Sequence, residues 1–156
     1  MERELHPIEK YTQETSWSCG AGAMVIAYRR LGIYLNEMSL ARELETNPES
    51  GTEMSNMYQH ATNYGFPAEM KSWGTYKDLQ RDSKRGVVIV GFTPFWSGEP
   101  GGHYAVLTTI LDDMVELSDP GLQPEDQPNI MSKKEFMSKW FAEGYPSSYL
   151  LIRPKQ

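Results

Sequence analysis

The strongest constraint on this chain's fold is a change of hydrophobic period at Gly86. Upstream of it, apolar residues recur at the spacing that gathers side chains on one face of a helix. Met24, Val25, Ala27, Tyr28 and Leu31 predict a helix that begins between Ser16 and Cys19 and is stopped by Gly32. Met38, Leu40, Ala41 and Leu44 predict a second, short helix over residues 36–44. Thr52 is placed to N-cap a third, whose stripe is Met54, Met57, Tyr58, Ala61 and Tyr64. Residues 66–71 read as a strand and 75–84 as a short helix. Downstream of Gly86, residues 87–92, 103–111 and 114–118 are β-branched or alternating, with Asp112-Asp113 as a hairpin turn. Ser132 caps a helix running through Glu135, Phe136 and Trp140, and residues 149–152 supply a last strand. Helices first and strands later predict an α+β fold, with N-terminal helices packed on a C-terminal antiparallel sheet.

At 156 residues and 39% hydrophobic content, the chain suits one domain, 1–156, with an ordered core over about 10–152. The stretches 94–102 and 120–128, rich in Pro and Gly, read as surface loops inside it. A net charge of −6, with no run of Lys or Arg longer than two, argues against nucleic acid and an anionic membrane surface as partners. Val87-Val88-Ile89-Val90 is far shorter than the ~20 apolar residues of a membrane span. No signal peptide is visible at the N-terminus, so a cytoplasmic location without membrane insertion is expected.

There is one cysteine, Cys19, so no internal disulfide and no Cys-based metal cluster can form. A lone thiol is either an inert core residue or a nucleophile. Cys19 sits at a predicted helix start, where unpartnered N–H groups and the helix dipole stabilise a thiolate. The small residues Gly20, Ala21, Gly22 and Ala23 that follow leave one side of the first turn open to a substrate carbonyl.

A thiolate nucleophile needs a general base and a group to orient that base. Of the three histidines, His6 lies in the N-terminal tail and His60 beside the polar face of the third helix, facing solvent. His103 opens the most apolar strand just after Gly101-Gly102 and is the best-placed base. Asp119, at the end of the next strand, is the candidate orienter; its plain alternative is a turn residue before Pro120. Hairpin register decides between these, because a one-residue slip exchanges the faces. A two-residue turn pairing Leu111 with Met114 would set Val106 opposite Asp119 and send His103 and Asp119 to opposite faces. A three-residue loop pairing Ile110 with Met114 would set Ala105 opposite Asp119, on the face of His103. A working pair therefore predicts that odd-length loop or a bulge. Gln13, six residues before Cys19, is a candidate second donor to an oxyanion, beside the Cys19 backbone N–H.

Gln13 with Cys19-Gly20, the run from Gly102 to Leu107, and Ser118-Asp119-Pro120 together resemble the C39-type papain-like cysteine peptidases. That group includes the leader-peptidase domains of bacteriocin exporters and stand-alone relatives. Gly51-Thr52, Tyr64-Gly65-Phe66 and the stretch from Ser132 to Trp140 add softer likeness, so the similarity spans about 10–152. The resemblance implies a papain-like fold with Cys19 as nucleophile, His103 as base, Asp119 as its orienter and Gln13 as oxyanion donor. Ala23 stands where exporter-linked members often carry a second cysteine, and Ser18 where they often carry an acid. No transporter follows in this chain, and the double-glycine leader substrate does not carry over.

The expected function is hydrolysis of a peptide bond through a Cys19 acyl-enzyme, with a peptide or protein as substrate. Acyl transfer to an amine by the same site, or an idle peptide-binding module, are the alternatives. Trp17, Trp96 and Gly102 are candidate substrate contacts, with Phe95 beside them, although core packing is the plain role of such aromatics. The 94–102 loop is a candidate lid. No cofactor is expected, and no metal, since the histidines form no spaced ligand pair.

Overall fold

The computed structural model describes residues 5–92, 102–141 and 146–155. Its elements run α1 (Cys19–Arg30), α2 (Glu37–Glu43), α3 (Met54–Asn63), β1 (Ala68–Lys71), α4 (Tyr76–Asp82), β2 (Val87–Phe92), β3 (His103–Ile110), β4 (Met114–Ser118), a 3₁₀ turn (Pro124–Asp126), β5 (Asn129–Ser132), α5 (Lys133–Trp140) and β6 (Tyr149–Ile152). The strands form one antiparallel sheet in the order β1-β6-β2-β3-β4-β5.

Both faces of that sheet are covered. Val87, Ile89, Val106, Leu150 and Ile152 point into a core shared with α1, α2 and α3. The alternate residues Val88, Val90, Leu107, Leu117 and Leu151 point the other way, against Tyr76 and Leu79 of α4 and Phe136 and Trp140 of α5. Two-sided burial explains why β2 and β6 read as continuous apolar runs. Each fully buried Val, Leu or Ile contributes roughly 1.5–3 kcal/mol, so these two strands anchor the molecule.

Helix α1 is buried from Cys19 to Tyr28, which accounts for its run of small residues. A Cβ at Gly22 would lie 2.9 Å from Pro120 Cβ and 3.2 Å from Gln13 Cβ, so only glycine lets the helix lie this close to the loop after β4. Helix α2 begins at Asn36, whose side chain accepts from Ser39 N. Helix α4 begins at a reciprocal capping box between Thr75 and Asp78. The carboxylate of Asp82, at the end of α4, takes bonds from Lys71 of β1 and Tyr149 of β6 at 3.0 and 2.6 Å.

Four sequence expectations need correction. Thr52 does not cap α3; Glu53 occupies that position, and the buried Thr52 hydroxyl pairs with Thr46 at 2.6 Å. Phe66 belongs to the stop of α3 and not to β1: Gly65 takes a φ of 93° and Phe66 N–H reaches back to Ala61 C=O, a Schellman closure. No strand is expected over 129–132, yet β5 forms there as a short edge strand; 120–128 before it is the mostly exposed loop expected, with a 3₁₀ turn in it. His60 does not face solvent: its side chain is 9% exposed, held between Tyr28 Oη and Glu43 Oε2 at 2.6 Å each.

Candidate active site

Cys19 is the first residue of α1, and Ser18 before it stands at the N-cap. The Ser18 side chain makes no bond to the first turn. The first N–H groups of a helix have no partner within it, and here the N-cap hydroxyl does not take them up. His103 is the first residue of β3, so its ring lies at the end of the sheet, where the first turn of α1 meets it. The Cys19 thiol and that ring border the same cleft, and the thiol is one of the neighbours that raise the ring's pKa. His103 Nε2 lies 2.6 Å from Asp119 Oδ1. A carboxylate only accepts, so Nε2 is the donor to Asp119.

The hairpin reaches this geometry by the second of the two expected routes. Its turn is the tight one, with Leu111 N–H bonded to Met114 C=O at 2.9 Å. A bulge between Leu107 and Thr109 then absorbs one residue, Thr108, and Val106 faces Ser118. That step sets His103 and Asp119 on the same face. Thr108 itself is held by a bond from Oγ1 to Glu116 C=O at 3.1 Å.

The pair is shielded, with the His103 side chain 15% exposed and that of Asp119 3%. Burial pulls the His103 pKa down, but the bond to Asp119 and the neighbouring Cys19 outweigh it and lift the pKa to about 9. Asp119 Oδ1 also accepts from Gly121 N–H at 2.8 Å. A Cβ at Gly121 would sit 3.1 Å from His103 Cε1, 3.2 Å from Asp119 Oδ1 and 3.7 Å from Gln13 Oε1, so this glycine leaves the room in which the three groups meet.

Gln13 is tied to the loop after β4 through its backbone, N–H to Pro120 C=O at 2.7 Å. Its Nε2 donates to Thr15 C=O at 2.6 Å, and its Oε1 is buried with no hydrogen-bond partner. One Nε2 hydrogen is thus engaged and fixes the amide, while the second is available. Gln13 does not line the cleft described next.

A cleft of about 670 Å³ opens over Cys19 and His103. Trp17, Gly51, Thr52 and Met54 line it, together with Phe92, Gly102, Tyr104 and Trp140. Trp17 and Gly102 border it, while Trp96, Phe95 and all of the 94–102 loop except Gly102 lie outside the described residues. Tyr104 Oη, from β3, donates to Thr52 C=O, just before α3, at 2.8 Å. Burial first, and the nearby Cys19 second, raise the Tyr104 hydroxyl above the ordinary phenol range.

Three residues that sequence reasoning passed over hold these groups in place. Gly121 is the first. Gln127 is the second: its Oε1 accepts from Tyr11 N–H at 3.3 Å, and its Nε2 donates to the C=O groups of Tyr11, Asp119 and Leu122 at 2.8–2.9 Å. Glu37 is the third, 2% exposed and bonded to Tyr11, Glu14 and Ser18. An acidic residue after an Asn cap reads as an ordinary helix start, and nothing local marks it as buried.

A cysteine-bearing helix set against an antiparallel sheet that carries His and Asp at one end is the papain-like α+β arrangement. The model of the Peptidase C39 family matches residues 8–146, and the chain belongs to that family. An uncharacterized protein of Methanothermobacter thermautotrophicus is 33% identical over 129 residues, covering 83% of this chain and 80% of the other. The peptidase domain of Streptococcus ComA, a bi-functional ABC transporter involved in a quorum sensing pathway, superposes with a TM-score of 0.76 at 19% identity, over 97% of this chain and 98% of that one. A double glycine motif protease from an AMS/PCAT transporter, solved in complex with the leader peptide, gives 0.75 at 15% identity, over 98% and 96%. The fold is thus that of C39 peptidase domains. No described helix is long and apolar enough to cross a membrane.

Proposed function

We propose that the protein is a thiol-dependent peptidase that cleaves a peptide bond through an acyl-enzyme on Cys19. The observation that carries this reading is that Cys19 and His103 line one cleft, with the His103 ring bonded to the buried Asp119 carboxylate at 2.6 Å. In the proposed cycle, Nδ1 of His103 takes the thiol proton and the Cys19 sulfur attacks the carbonyl carbon. The developing oxyanion is met by the Cys19 backbone N–H and the second Nε2 hydrogen of Gln13. His103 then gives its proton to the leaving amine as the C–N bond breaks. Water, deprotonated by the same nitrogen, hydrolyses the thioester and restores the thiol. Asp119 holds the ring in the tautomer that presents Nδ1 and stabilises the imidazolium.

The substrate class is a peptide, in keeping with the leader peptide bound by the AMS/PCAT protease. Trp17 and Gly102 border the path to Cys19 and are the proposed substrate contacts among the described residues. The test is incubation of the wild-type protein with a diverse peptide library, with and without added amines, and product masses as the readout. Products that carry one added water establish hydrolysis. Amide adducts that replace the hydrolysed products would make it an acyl transferase, and an unchanged library would mark an idle peptide-binding module.

A further inference from the structure

We propose that Glu37 is a positioning residue for the oxyanion side of the Cys19 site, an inference that rests on the peptidase reading. Glu37 is the first residue of α2 and is 2% exposed. Its Oε2 accepts from Ser18 Oγ at 2.7 Å and from Glu14 N–H at 2.9 Å, and its Oε1 accepts from Tyr11 Oη at 2.6 Å. Among the described residues no Lys, Arg or His forms an ion pair with it.

All three donors belong to the segment that carries Gln13 and ends at Cys19. Ser18 Oγ also bonds Thr15, accepting from its Oγ1 at 2.8 Å, and Thr15 C=O in turn holds the Gln13 amide at 2.6 Å. One carboxylate thus braces the segment that carries both proposed oxyanion donors. It reaches Gln13 through Ser18 and Thr15, and it holds Ser18, the residue directly before Cys19. A serine at an N-cap ordinarily accepts from the second or third N–H of its helix. Here the hydroxyl donates to Glu37 instead and makes no cap bond.

A purely structural role is a poor account of this arrangement. Taking a carboxylate out of water is costly, and an apolar side chain of similar size fills a buried site as well or better. What the apolar side chain cannot do is accept three hydrogen bonds from a loop with a fixed shape.

The test compares wild type, Glu37→Gln and Glu37→Met on a library peptide cleaved by the wild type. It reads kcat, KM, melting temperature and the rate of Cys19 alkylation by iodoacetamide. Alkylation displaces iodide at a saturated carbon and builds no oxyanion, so it reports the thiol without the donors. Glu37→Met is expected to lower kcat by roughly 10- to 100-fold, below the cost of deleting a donor outright, with KM and the alkylation rate within about threefold of wild type. Glu37→Gln, which keeps one acceptor oxygen, should recover part of the loss. If the Met variant does not fold, the Gln variant decides, with a smaller fall in kcat at unchanged alkylation. An unchanged kcat, or a kcat that falls in step with alkylation or with melting temperature, overturns the role of Glu37 while cleavage by wild type upholds the peptidase. A wild-type protein that cleaves nothing overturns both.

Discussion

His103 and Asp119 meet at 2.6 Å, sixteen positions apart in sequence, because Thr108 is looped out of the ladder between β3 and β4. A regular hairpin with this two-residue turn would put the two side chains on opposite faces of the sheet. The bulge re-aims one strand end without lengthening the turn, a use of bulges common beside active sites. Removing the orienting group tests the pairing. Asp119→Ala should lower kcat by roughly 100-fold, within the range that general acid–base assistance supplies. Asp119→Asn should lose less, since the amide oxygen still accepts from Nε2. Steady-state kinetics on folded variants, checked by circular dichroism, decide the matter; an Asp119→Ala variant at wild-type kcat would contradict the role.

The His103 pKa gives a pH dependence with a definite sign. It stands at about 9, above its ordinary 6.5, through the bond to Asp119 and the neighbouring Cys19, which outweigh burial. The stability that the protonated ring contributes is present in full below about 6.5 and is lost as pH rises through about 9. The gap in urea midpoint between wild type and His103→Gln should therefore narrow from about pH 6 to about pH 10. The basic limb of kcat/KM should fall near 9, and Asp119→Asn should move it towards 6.5. A wild-type limb at the ordinary histidine value would contradict the ion pair.

Gly121→Ala places a methyl group 3.1 Å from His103 Cε1 and 3.2 Å from Asp119 Oδ1. The neighbours must give by a few tenths of an ångström, and the softest response is a shift of the imidazole. We expect a fall in kcat of about tenfold or more with KM nearly unchanged, since misplacement of 1 Å can cost roughly 100-fold. Parallel kinetics and thermal melts check this, and a variant with full activity would show the ring to be less confined than its contacts imply.

Much of the fold is legible in the sequence for simple reasons. The bounds of β2, β4 and β6 follow from alternation and β-branching, and α2, α4 and α5 each start at the Asn, Thr or Ser that the pattern marks. Cys19, His103, Asp119 and Gln13 can be named as candidates because nucleophilic thiol chemistry restricts which residue types serve it. What stays hidden depends on tertiary contacts. Thr108 is one polar position among several in β3, and only pairing with β4 decides which residue bulges. Glu37 and His60 sit on helix positions that look solvated until Ser18 and Tyr28 close over them. Trp140 reads as a helix residue, and its place on the cleft wall follows from packing of α5 on the sheet.

Gln127 joins the segment before Cys19 to the loop that carries Asp119. Gln127→Leu would leave buried groups of Tyr11, Asp119 and Leu122 without this partner. The expected cost is roughly 1–3 kcal/mol of stability, with a lower kcat as the loop loosens. Urea unfolding paired with kinetics checks it; a variant as stable and active as wild type would show the link to be dispensable.

The central claim is that the Cys19 sulfur attacks the scissile carbonyl. Its most direct test is Cys19→Ala beside wild type on the best library peptide, with products counted by mass. The account predicts loss of cleavage by roughly 10³-fold or more, since the variant lacks the atom that forms the acyl-enzyme. Cleavage by the alanine variant at a rate near that of wild type would contradict it.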